Sequence, residues 1–555
     1  MMRHLGISAR LCVGALLLAT ALPALPAGAD MLIRLKDGRT IAVPVDPGDI
    51  ESVTYGAPPE AEKTGRAQPA SRAAAQIEAD AESVRRSLDA ERRAEEAAAA
   101  AEAAAEAARA AADEAKRQAA AARAARAAAE QLSRSRPAPA ASRSHPQASS
   151  ADASPARRQA GPARVLRVGP GEKYPVPSAA ARDARNGDTV EIAAGDYPGD
   201  VAVWNAQNLT LRGVGGRARL DAQGKSAQGK AIWVIVGSDY TIENIEFTNC
   251  RVPDNNGAGI RLEGRNLTVR NSYFHRNQMG ILTGHNPESD VVIEGSEFYR
   301  NVVDYEKTGS LGHNIYIGRV RSFTLRGSYS HGAAWGHNVK TRAAENRILY
   351  NRLEDGKDGS ASYIVDIAEG GKAWLVGNVL EQGPDGDNWT IVSFAAERQN
   401  GGDRLALVNN TLVNNRSSGV FVQVHGSAAA ILSNNILAGP GTPLKGPGEM
   451  TANLIARSVS AGLLGGLVGG DGVAPGSGPL ANNFTAGTAR FVAPGDFDFR
   501  LRADSPARER GVEPGLVHGW PARPDSEYVH PLGTADRPRQ DRIDIGAYEF
   551  VAPRP

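Results

Sequence analysis

The sequence predicts an all-β protein whose main domain is a parallel β-helix, a solenoid of short strands. A six-residue signature that begins and ends with an apolar residue recurs along the chain, and its first position repeats every 23 to 32 residues between Ile242 and Leu432. Asn or Gly lies between the two apolar residues, and the chain has 61 glycines but only 5% aromatic residues. Repeats of this length that combine short strands with tight turns are typical of solenoids.

The apolar pairs justify the coils one after another. They are Ile242 and Phe247, Val269 and Phe274, Ile293 and Phe298, Ile348 and Leu353, Leu375 and Leu380, Leu407 and Leu412, and Leu432 and Leu437. One further copy begins at Leu325 and closes on Ser330. Strands that stack one per coil lie about 4.8 Å apart, which fits a β-helix, whereas leucine-rich repeats need a denser Leu pattern.

Asparagines recur at the turn inside the signature, at Asn244, Asn271, Asn351, Asn378, Asn410 and Asn435. Asparagine tolerates left-handed backbone, and stacked asparagines can form hydrogen-bonded ladders. We therefore expect these residues to be structural.

The N-terminal part has a different composition and predicts four segments before the solenoid. Arg3 and Arg10 precede an apolar run that ends in small residues before Asp30, which predicts a signal peptide and a periplasmic or secreted protein. No later stretch has the roughly 20 apolar residues needed to span a membrane. The predicted segments are a signal peptide (1–29), a β-hairpin element with a turn at Asp37-Gly38 (30–60), an Ala-rich helical stalk (70–132), a disordered Ser/Ala/Pro/Arg linker (133–163) and the β-helix domain (164–550).

The stalk and the charge balance bear on the partners. The stalk contains neither Gly nor Pro, which favours one continuous α-helix, and it has few bulky residues for a coiled-coil seam. We interpret it as a spacer and leave oligomerisation through it open. The whole chain has 63 Lys and Arg against 62 Asp and Glu, so bulk charge gives no case for nucleic-acid binding. Cys250 is the only cysteine outside the leader, which excludes an intramolecular disulfide.

Three further segments extend the pattern to a known superfamily. The segment from Ser178 to Tyr197 is similar to the capping helix and first strand of such domains, and the segments 496–506 and 544–550 are similar to their final coils. With the repeat, these segments resemble the secreted right-handed parallel β-helix proteins, which include pectate lyases and related polysaccharide lyases. The resemblance implies a right-handed solenoid and an activity on polysaccharides.

Five of the ten histidines cluster between residues 275 and 337, and two aligned strands begin with His-Asn. The clustered histidines are His275, His285, His313, His331 and His337. Because side chains alternate along a strand, inward Ile315, Val339 and Val365 would place Tyr316, Lys340 and Asp366 in one outward column. Arg342 would project from the same face as Lys340.

This column predicts a site for β-elimination on a uronic acid. Removing the proton next to a carboxylate requires a base and a cation that neutralises that carboxylate. We expect Lys340 to act as the base, because Arg342 would lower its pKa. The predicted catalytic residues are Lys340, Arg342, His337, His313, Tyr316 and Asp366, and the predicted substrate-binding residues are Asn314, Asn338 and Glu369. In chondroitinase B and several alginate lyases a Lys and an Arg serve as base and acid, and Lys340 and Arg342 are similar in kind.

Aspartates in neighbouring turns suggest a calcium site. Asp358 and Asp385 each follow the closing apolar position of a coil by five residues, and Asp355 and Asp387 lie nearby in the sequence. Carboxylate oxygens are ligands that calcium prefers, so we expect Asp358, Asp385 and Asp387 to be candidate calcium ligands. Asp-Gly sequences are also ordinary turns.

Several functions remain open at this point. An anionic polysaccharide is the expected partner, and a polysaccharide lyase is the first interpretation. A uronate epimerase shares the proton abstraction, and a glycoside hydrolase would need two carboxylates around the cleaved bond. The hairpin, stalk and linker instead favour a non-catalytic glycan-binding or envelope-associated module.

Overall fold

A computed structural model of the chain describes residues 31–34, 40–43, 164–356, 359–398, 402–460, 474–476, 480–539 and 541–552. The two N-terminal strands are β1 (Met31–Arg34) and β2 (Thr40–Val43). They pair antiparallel with Ile33 opposite Ile41, a register one residue different from that of a two-residue turn at Asp37-Gly38. The Asp37-Gly38 turn lies outside the described residues, as do the signal peptide, the helical stalk and the linker. The complete hairpin element and those segments therefore stay predictions.

Short strands follow one another from residue 165 to residue 488. In chain order the elements are β3 (Val165–Val168), α1 (Pro177–Asp183), β4 (Thr189–Pro198), β5 (Ala202–Trp204), β6 (Thr210–Asp221), β7 (Ala231–Ile235), β8 (Ser238–Glu243), β9 (Ile245–Thr248), β10 (Ala258–Leu262), β11 (Arg265–Arg270), β12 (Tyr273–His275), β13 (Met279–Thr283), β14 (Asn286–Glu294), β15 (Glu297–Tyr299), α2 (Tyr305–Thr308), β16 (His313–Ile317), β17 (Val320–Arg326) and β18 (Tyr329–His331). They continue as β19 (Val339–Thr341), β20 (Glu345–Leu349), β21 (Arg352–Glu354), β22 (Val365–Ile367), β23 (Lys372–Val376), β24 (Val379–Gln382), β25 (Thr390–Phe394), β26 (Arg404–Val408), β27 (Thr411–Asn414), β28 (Val420–Val424), β29 (Ala429–Ser433), β30 (Ile436–Ala438), β31 (Thr442–Lys445), β32 (Gly448–Thr451), β33 (Leu454–Ser458), β34 (Ala474–Pro475) and β35 (Phe484–Thr488).

Apart from β34, which pairs antiparallel with β35, these strands run parallel in three sheets along the solenoid. Sheet A has ten strands, in the order β5, β7, β10, β13, β16, β19, β22, β25, β28 and β31. Sheet B contains the strand of each coil that follows sheet A, from β8 to β32, and sheet C contains the next strand, from β9 to β33 and β35. Each strand pairs with its equivalent one coil later, as β16 does with β19. The predicted all-β solenoid of stacked coils is therefore confirmed.

The core lies inside the solenoid and is built from stacked columns of apolar side chains. Ile315, Val339 and Val365 are register neighbours in sheet A, and all three are fully buried. Phe247, Phe274 and Phe298 stack in sheet C, with ring centroids 4.9 Å apart at each step. Burying a side chain of this size stabilises the fold by about 1.5–3 kcal/mol, so each coil contributes to one continuous core.

An asparagine ladder runs along the turn between sheets B and C. Side-chain amides join Asn351 to Asn378, Asn378 to Asn410 and Asn410 to Asn435, each with an Nδ2–Oδ1 distance of 2.9 or 3.0 Å. The predicted ladder is confirmed for these four residues. Asn244 and Asn271 have the left-handed backbone that was expected, with φ of +58° and +44°, whereas beside the four ladder residues it occupies the preceding position, for example at Asn409 and Asn434.

Residues 491–552 do not continue the coils. They form three antiparallel pairs, β36 (Phe491–Ala493) with β37 (Asp498–Leu501), β38 (Leu516–Val517) with β39 (Trp520–Pro521), and β40 (Ser526–Tyr528) with β41 (Thr534–Asp536). A short 3-10 turn, Pro494–Asp496, lies between β36 and β37. Trp374 in sheet B donates from Nε1 to the Val517 carbonyl at 2.9 Å, so this segment packs on the side of the solenoid. The expectation that segments 496–506 and 544–550 are final coils is wrong, because strand alternation alone does not distinguish a coil from a hairpin.

Candidate functional site

The predicted outward column exists on sheet A. Tyr316 in β16 pairs in register with Lys340 in β19, and Lys340 pairs with Asp366 in β22. Their inward neighbours Ile315 and Val339 belong to the core, which places the column on the outer face. The alternation in the sequence therefore gave the correct register for all three residues.

The burial of this column differs from the prediction. Lys340 and Asp366 are each only 3% exposed, whereas we expected solvated side chains on the face of the solenoid. Lys340 Nζ lies 2.8 Å from Glu397 Oε1 and 3.5 Å from Asp366 Oδ2. Lys340 is thus the centre of a buried ion-pair network, and two carboxylates favour its charged form.

Glu397 is the main site residue that the sequence did not reveal. It follows β25, one coil beyond Asp366, and it also binds Arg342, with Arg342 Nη2 at 2.6 Å and Nε at 2.8 Å from Glu397 Oε2. The two residues are 55 positions apart in the chain. The available signal was an acidic residue three positions after Phe394, the last residue of β25, which is two coils beyond Val339–Thr341.

Arg342 connects this network to Tyr316. Its Nη1 donates a hydrogen bond to the Tyr316 hydroxyl, and its guanidinium carbon lies 5.1 Å from the centroid of the Tyr316 ring. Tyr316 is half-buried, whereas Lys340 and Asp366 are buried, so Tyr316 is the most exposed residue of the column. Tyr316 and Arg342 thus form one hydrogen-bonded pair at the edge of the buried network.

Glu369 lies between two arginines at the end of the same face. Arg319 donates to it from Nε at 2.8 Å and from Nη2 at 2.6 Å, and Arg342 Nε lies 3.4 Å from its Oε1. Glu369 was predicted to bind substrate. In the structure it is buried and holds the two arginines in place.

A cavity of about 480 Å³ opens beside these arginines. Its charged lining residues are Arg319, Arg342, Arg398, Lys372, Glu345, Glu369 and Asp403. Pockets of this size accommodate small ligands or one to a few sugar units, and four cations against three carboxylates leave an excess of one positive charge, which favours an anionic ligand.

The histidines His313 and His337 are also buried in this site. Their rings lie 4.8 Å apart, and the Nδ1 atoms accept hydrogen bonds from the backbone N–H groups of His337 and Tyr363, at 3.0 and 3.2 Å. Burial lowers the pKa of both imidazoles well below the usual value. Because Nδ1 accepts a hydrogen bond, each neutral ring carries its proton on Nε2. The Nε2 atom can therefore donate a hydrogen bond but cannot accept a proton. His337 Nε2 lies 3.7 Å from Asp366 Oδ2.

Asp366 is the carboxylate most affected by its surroundings. Burial raises its pKa to about 6, while the charge of Lys340 opposes that rise. Its Oδ1 atom is buried and has no hydrogen-bond partner within the described part of the chain. Asp366 is therefore a group that changes its charge near neutral pH.

The other predicted site residues lie elsewhere. Asn314 and Asn338 are fully buried, and Asn314 Nδ2 donates to Asn338 Oδ1 at 3.1 Å. They belong to a second ladder, with Asn277 and Asn301, inside the solenoid. Their amide groups are used there, so the expectation that they bind substrate is corrected to a structural role.

The sequence cluster of five histidines separates in three dimensions. His275 and His331 lie in sheet C, where their Nε2 atoms contact Glu246 and Glu297 at 3.0 and 3.1 Å. His285 accepts a hydrogen bond at Nδ1 from the Arg319 backbone. Only His313 and His337 lie within sheet A beside the column, because His275 and His331 belong to sheet C and His285 follows the end of β13.

The candidate calcium ligands do not form a described cluster. Asp385 and Asp387 are exposed, and Asp358 lies outside the described residues. Asp355 is buried, and its burial raises its pKa to about 7. Over the described ranges, no group of three or more His, Cys, Asp or Glu side chains is arranged to hold a metal ion. The calcium assignment stays a prediction.

None of the helices within the described ranges is long and apolar enough to cross a membrane.

Comparison with known proteins agrees with this architecture. Residues 200–443 match the model of the family described as the right handed beta helix region, a segment that includes nearly all of sheet A. This part of the chain is a right-handed parallel β-helix, as the resemblance implied. No curated protein matches the sequence.

Two solved structures are similar in general arrangement. Pectate lyase Pel9A aligns with 67% of this chain and 90% of its own at 15% identity, with a TM-score of 0.42. An alginate lyase from Paenibacillus sp. str. FPU-7 aligns with 51% of this chain and 99% of its own at 14% identity, with a TM-score of 0.38. Neither likeness is close enough to transfer an activity or a residue role to this chain.

Proposed function

We propose that this protein binds an anionic polysaccharide and cleaves it by β-elimination at a uronic acid residue. The observation that supports the proposal best is the Tyr316 hydroxyl, which accepts a hydrogen bond from Arg342 beside a cavity lined by four cations. A half-buried phenol beside a guanidinium is suited to move a proton, and the cations are suited to hold the substrate carboxylate.

The reaction breaks two bonds and forms one double bond. A base removes the proton from the carbon next to the carboxylate, the bond from the neighbouring carbon to the glycosidic oxygen breaks, and a carbon–carbon double bond forms. The leaving oxygen takes up a proton. Because negative charge develops on the carboxylate, a nearby cation lowers the barrier.

We assign the proton transfer to Tyr316 rather than to the predicted base Lys340. A lysine base must be uncharged and must reach the sugar, whereas Lys340 is buried and lies between Glu397 and Asp366. We therefore propose that Lys340 is a positioning residue, which holds Glu397 so that Glu397 can orient Arg342. Arg342 in turn donates a hydrogen bond to the Tyr316 hydroxyl and holds it in place.

A glycoside hydrolase is the second candidate. Asp366 and Glu397 both contact Lys340 Nζ, and the pKa of Asp366 is raised to about 6, so one carboxylate could donate a proton while the other stays ionised. We rank this function lower because Asp366 is buried. A binding module without catalysis is the third candidate, since the ion pairs of the network neutralise one another.

We also propose that the protein is exported and that the Ala-rich segment 70–132 acts as a spacer. The support is the apolar leader with its small residues and the absence of Gly and Pro from the Ala-rich segment. The sequence of the Ala-rich segment contains no cluster of ionisable residues that a fold could shelter, so we assign it no catalytic role.

A screen of the full chain against anionic polysaccharides separates the three candidates. Polygalacturonate, alginate and chondroitin sulfate are incubated with the protein, and both ultraviolet absorbance from an unsaturated uronate and new reducing ends are measured. Elimination gives both signals, hydrolysis gives reducing ends alone, and a binding module gives neither signal but retains affinity for the polymer. Absence of the absorbance on every polymer contradicts the lyase proposal.

A further inference from the structure

Three aromatic residues lie in the loops that precede three strands of sheet A, namely β16, β19 and β25. Tyr305 lies in α2 ahead of β16, Trp335 lies ahead of β19, and Trp389 immediately precedes β25. We name Tyr305, Trp335 and Trp389 the aromatic rim. The rings of Tyr305 and Trp335 stack with their centroids 5.5 Å apart and an interplanar angle of 20°.

Backbone hydrogen bonds align these loops along the solenoid axis. Trp335 N donates to Ser360 O at 3.0 Å, and Asp387 N donates to Ala361 O at 3.0 Å. The loop that carries Trp335 therefore contacts the loop of the next coil. That loop in turn contacts the loop that carries Trp389, one coil further along the solenoid. At about 4.8 Å per coil, Trp389 lies about 10 Å along the axis from Trp335.

Folding alone does not explain why the Trp389 side chain is exposed. It is 45% exposed, and it is the only Phe, Tyr or Trp in the exposed class over the described ranges. A large aromatic ring left in water forgoes the stabilisation that burial would give it. A ligand that stacks on the ring would recover that contact.

Trp335 has a backbone conformation that disfavours its own side chain. Its φ is +62°, the left-handed region that glycine adopts freely and that a bulky residue rarely occupies. Strain of this kind persists where the surrounding structure imposes it, and it is frequent at ligand sites. The ring is half-buried, so one part of it stays accessible beside Tyr305.

The rim adjoins the candidate site. Tyr363, on the loop between those of Trp335 and Trp389, has its ring 5.0 Å from that of His337, and the His313 ring lies 5.2 Å from that of Tyr316. The rim thus borders the N-terminal ends of the sheet A strands. The cation-lined cavity adjoins Arg342 and Glu369, beyond their C-terminal ends.

We propose that the aromatic rim is a glycan-binding subsite that stacks the apolar faces of pyranose rings and aligns the polysaccharide along the solenoid axis. This inference rests on the proposed function, because it takes the same glycan as ligand. Two rings about 10 Å apart along the axis meet an extended chain at two points. The rim contributes affinity through stacking, whereas the cavity contributes charge recognition.

Binding of polygalacturonate and alginate to the full chain tests the rim directly. Affinity electrophoresis in gels that contain each polymer gives the dissociation constants without requiring turnover. We expect Trp389→Ala to weaken binding about threefold to tenfold, the range that aromatic packing contributes. Trp335→Gly should weaken binding to a similar extent while it relieves the left-handed backbone, so its melting temperature should stay close to that of the parent. Trp520→Ala is the matched control, because Trp520 is half-buried in the C-terminal segment and packs on Trp374 of sheet B.

The outcomes separate the rim from the lyase proposal. If the parent binds without releasing unsaturated product and Trp389→Ala binds more weakly, the rim stands and the lyase proposal fails. If the parent is active and both rim variants bind as tightly as the parent and Trp520→Ala, the rim is overturned while the lyase proposal stands. If the parent binds neither polymer and releases no unsaturated product from any of the three screened polysaccharides, both are overturned.

Discussion

Replacing Lys340 by Met tests whether this lysine holds the buried network together. Methionine keeps most of the side-chain volume and removes the charge, so Asp366 loses the ammonium 3.5 Å from its Oδ2. Glu397 loses a partner at 2.8 Å but keeps Arg342. Breaking a buried ion pair by removing one partner destabilises a protein by about 3–5 kcal/mol, because an uncompensated charge stays buried. We expect a loss of this size at pH 8.

The same variant should lose less stability at pH 5. The pKa of Asp366 is about 6 in the parent, and the charge of Lys340 lowers it, so removal of Lys340 raises the pKa further. At pH 5 the carboxyl is then mostly neutral and its burial without a cation is less unfavourable. The free energy of unfolding is measured by urea denaturation at both pH values.

Lys372→Met is the matched control. The Lys372 side chain is 55% exposed and its Nζ lies 3.9 Å from Glu345 Oε1, an exposed pair that contributes at most about 1 kcal/mol. If Lys340→Met and Lys372→Met lose equal stability at pH 8, or if the loss for Lys340→Met does not depend on pH, the buried-network interpretation is refuted.

Three further predictions concern pH, calcium and the N-terminal segments. Folding raises the pKa of Asp366 from 3.8 to about 6, so between these pH values the folded state binds a proton that the unfolded state has released. The free energy of unfolding should therefore fall as the pH rises from about 4 to about 6. Asp366→Asn should remove this part of the fall, as measured by urea denaturation. If Asp385 and Asp387 hold calcium, EDTA should lower turnover and added calcium should restore it, whereas unchanged turnover in EDTA contradicts the calcium assignment. A truncated protein that starts at Gly161 should keep full turnover on a soluble polymer; if it folds but has lost turnover, the spacer interpretation fails.

Local alternation was sufficient to predict the solenoid and the register of the site column. The repeated His-Asn start aligned Tyr316 with Lys340, and the apolar neighbours Ile315 and Val339 determined which side chains face outward. These features depend on residues within one strand and its nearest equivalents. The same holds for the ladder asparagines, which recur at one position of each coil.

Burial and pairing in the site depend on distant loops and were not predictable in the same way. Glu397 reaches Arg342 from 55 positions further along the chain, and Arg319 reaches Glu369 across 50 positions. Coil lengths vary, so the sequence does not show which loop covers which strand. Lys340 was therefore expected to be exposed, although Glu397 and Asp366 enclose it.

The measurement that tests the central claim most directly is the turnover of Tyr316→Phe on the polysaccharide that the screen identifies. Phenylalanine keeps the ring beside His313 and Arg342 and removes only the hydroxyl. Tyr299→Phe is the control, because that half-buried tyrosine lies in sheet C and stacks on His331. We predict that Tyr316→Phe keeps the parent's melting temperature and loses turnover by a factor of about 10² to 10⁴, the usual contribution of a proton-transfer group, while Tyr299→Phe stays fully active. Full turnover in Tyr316→Phe would contradict the account.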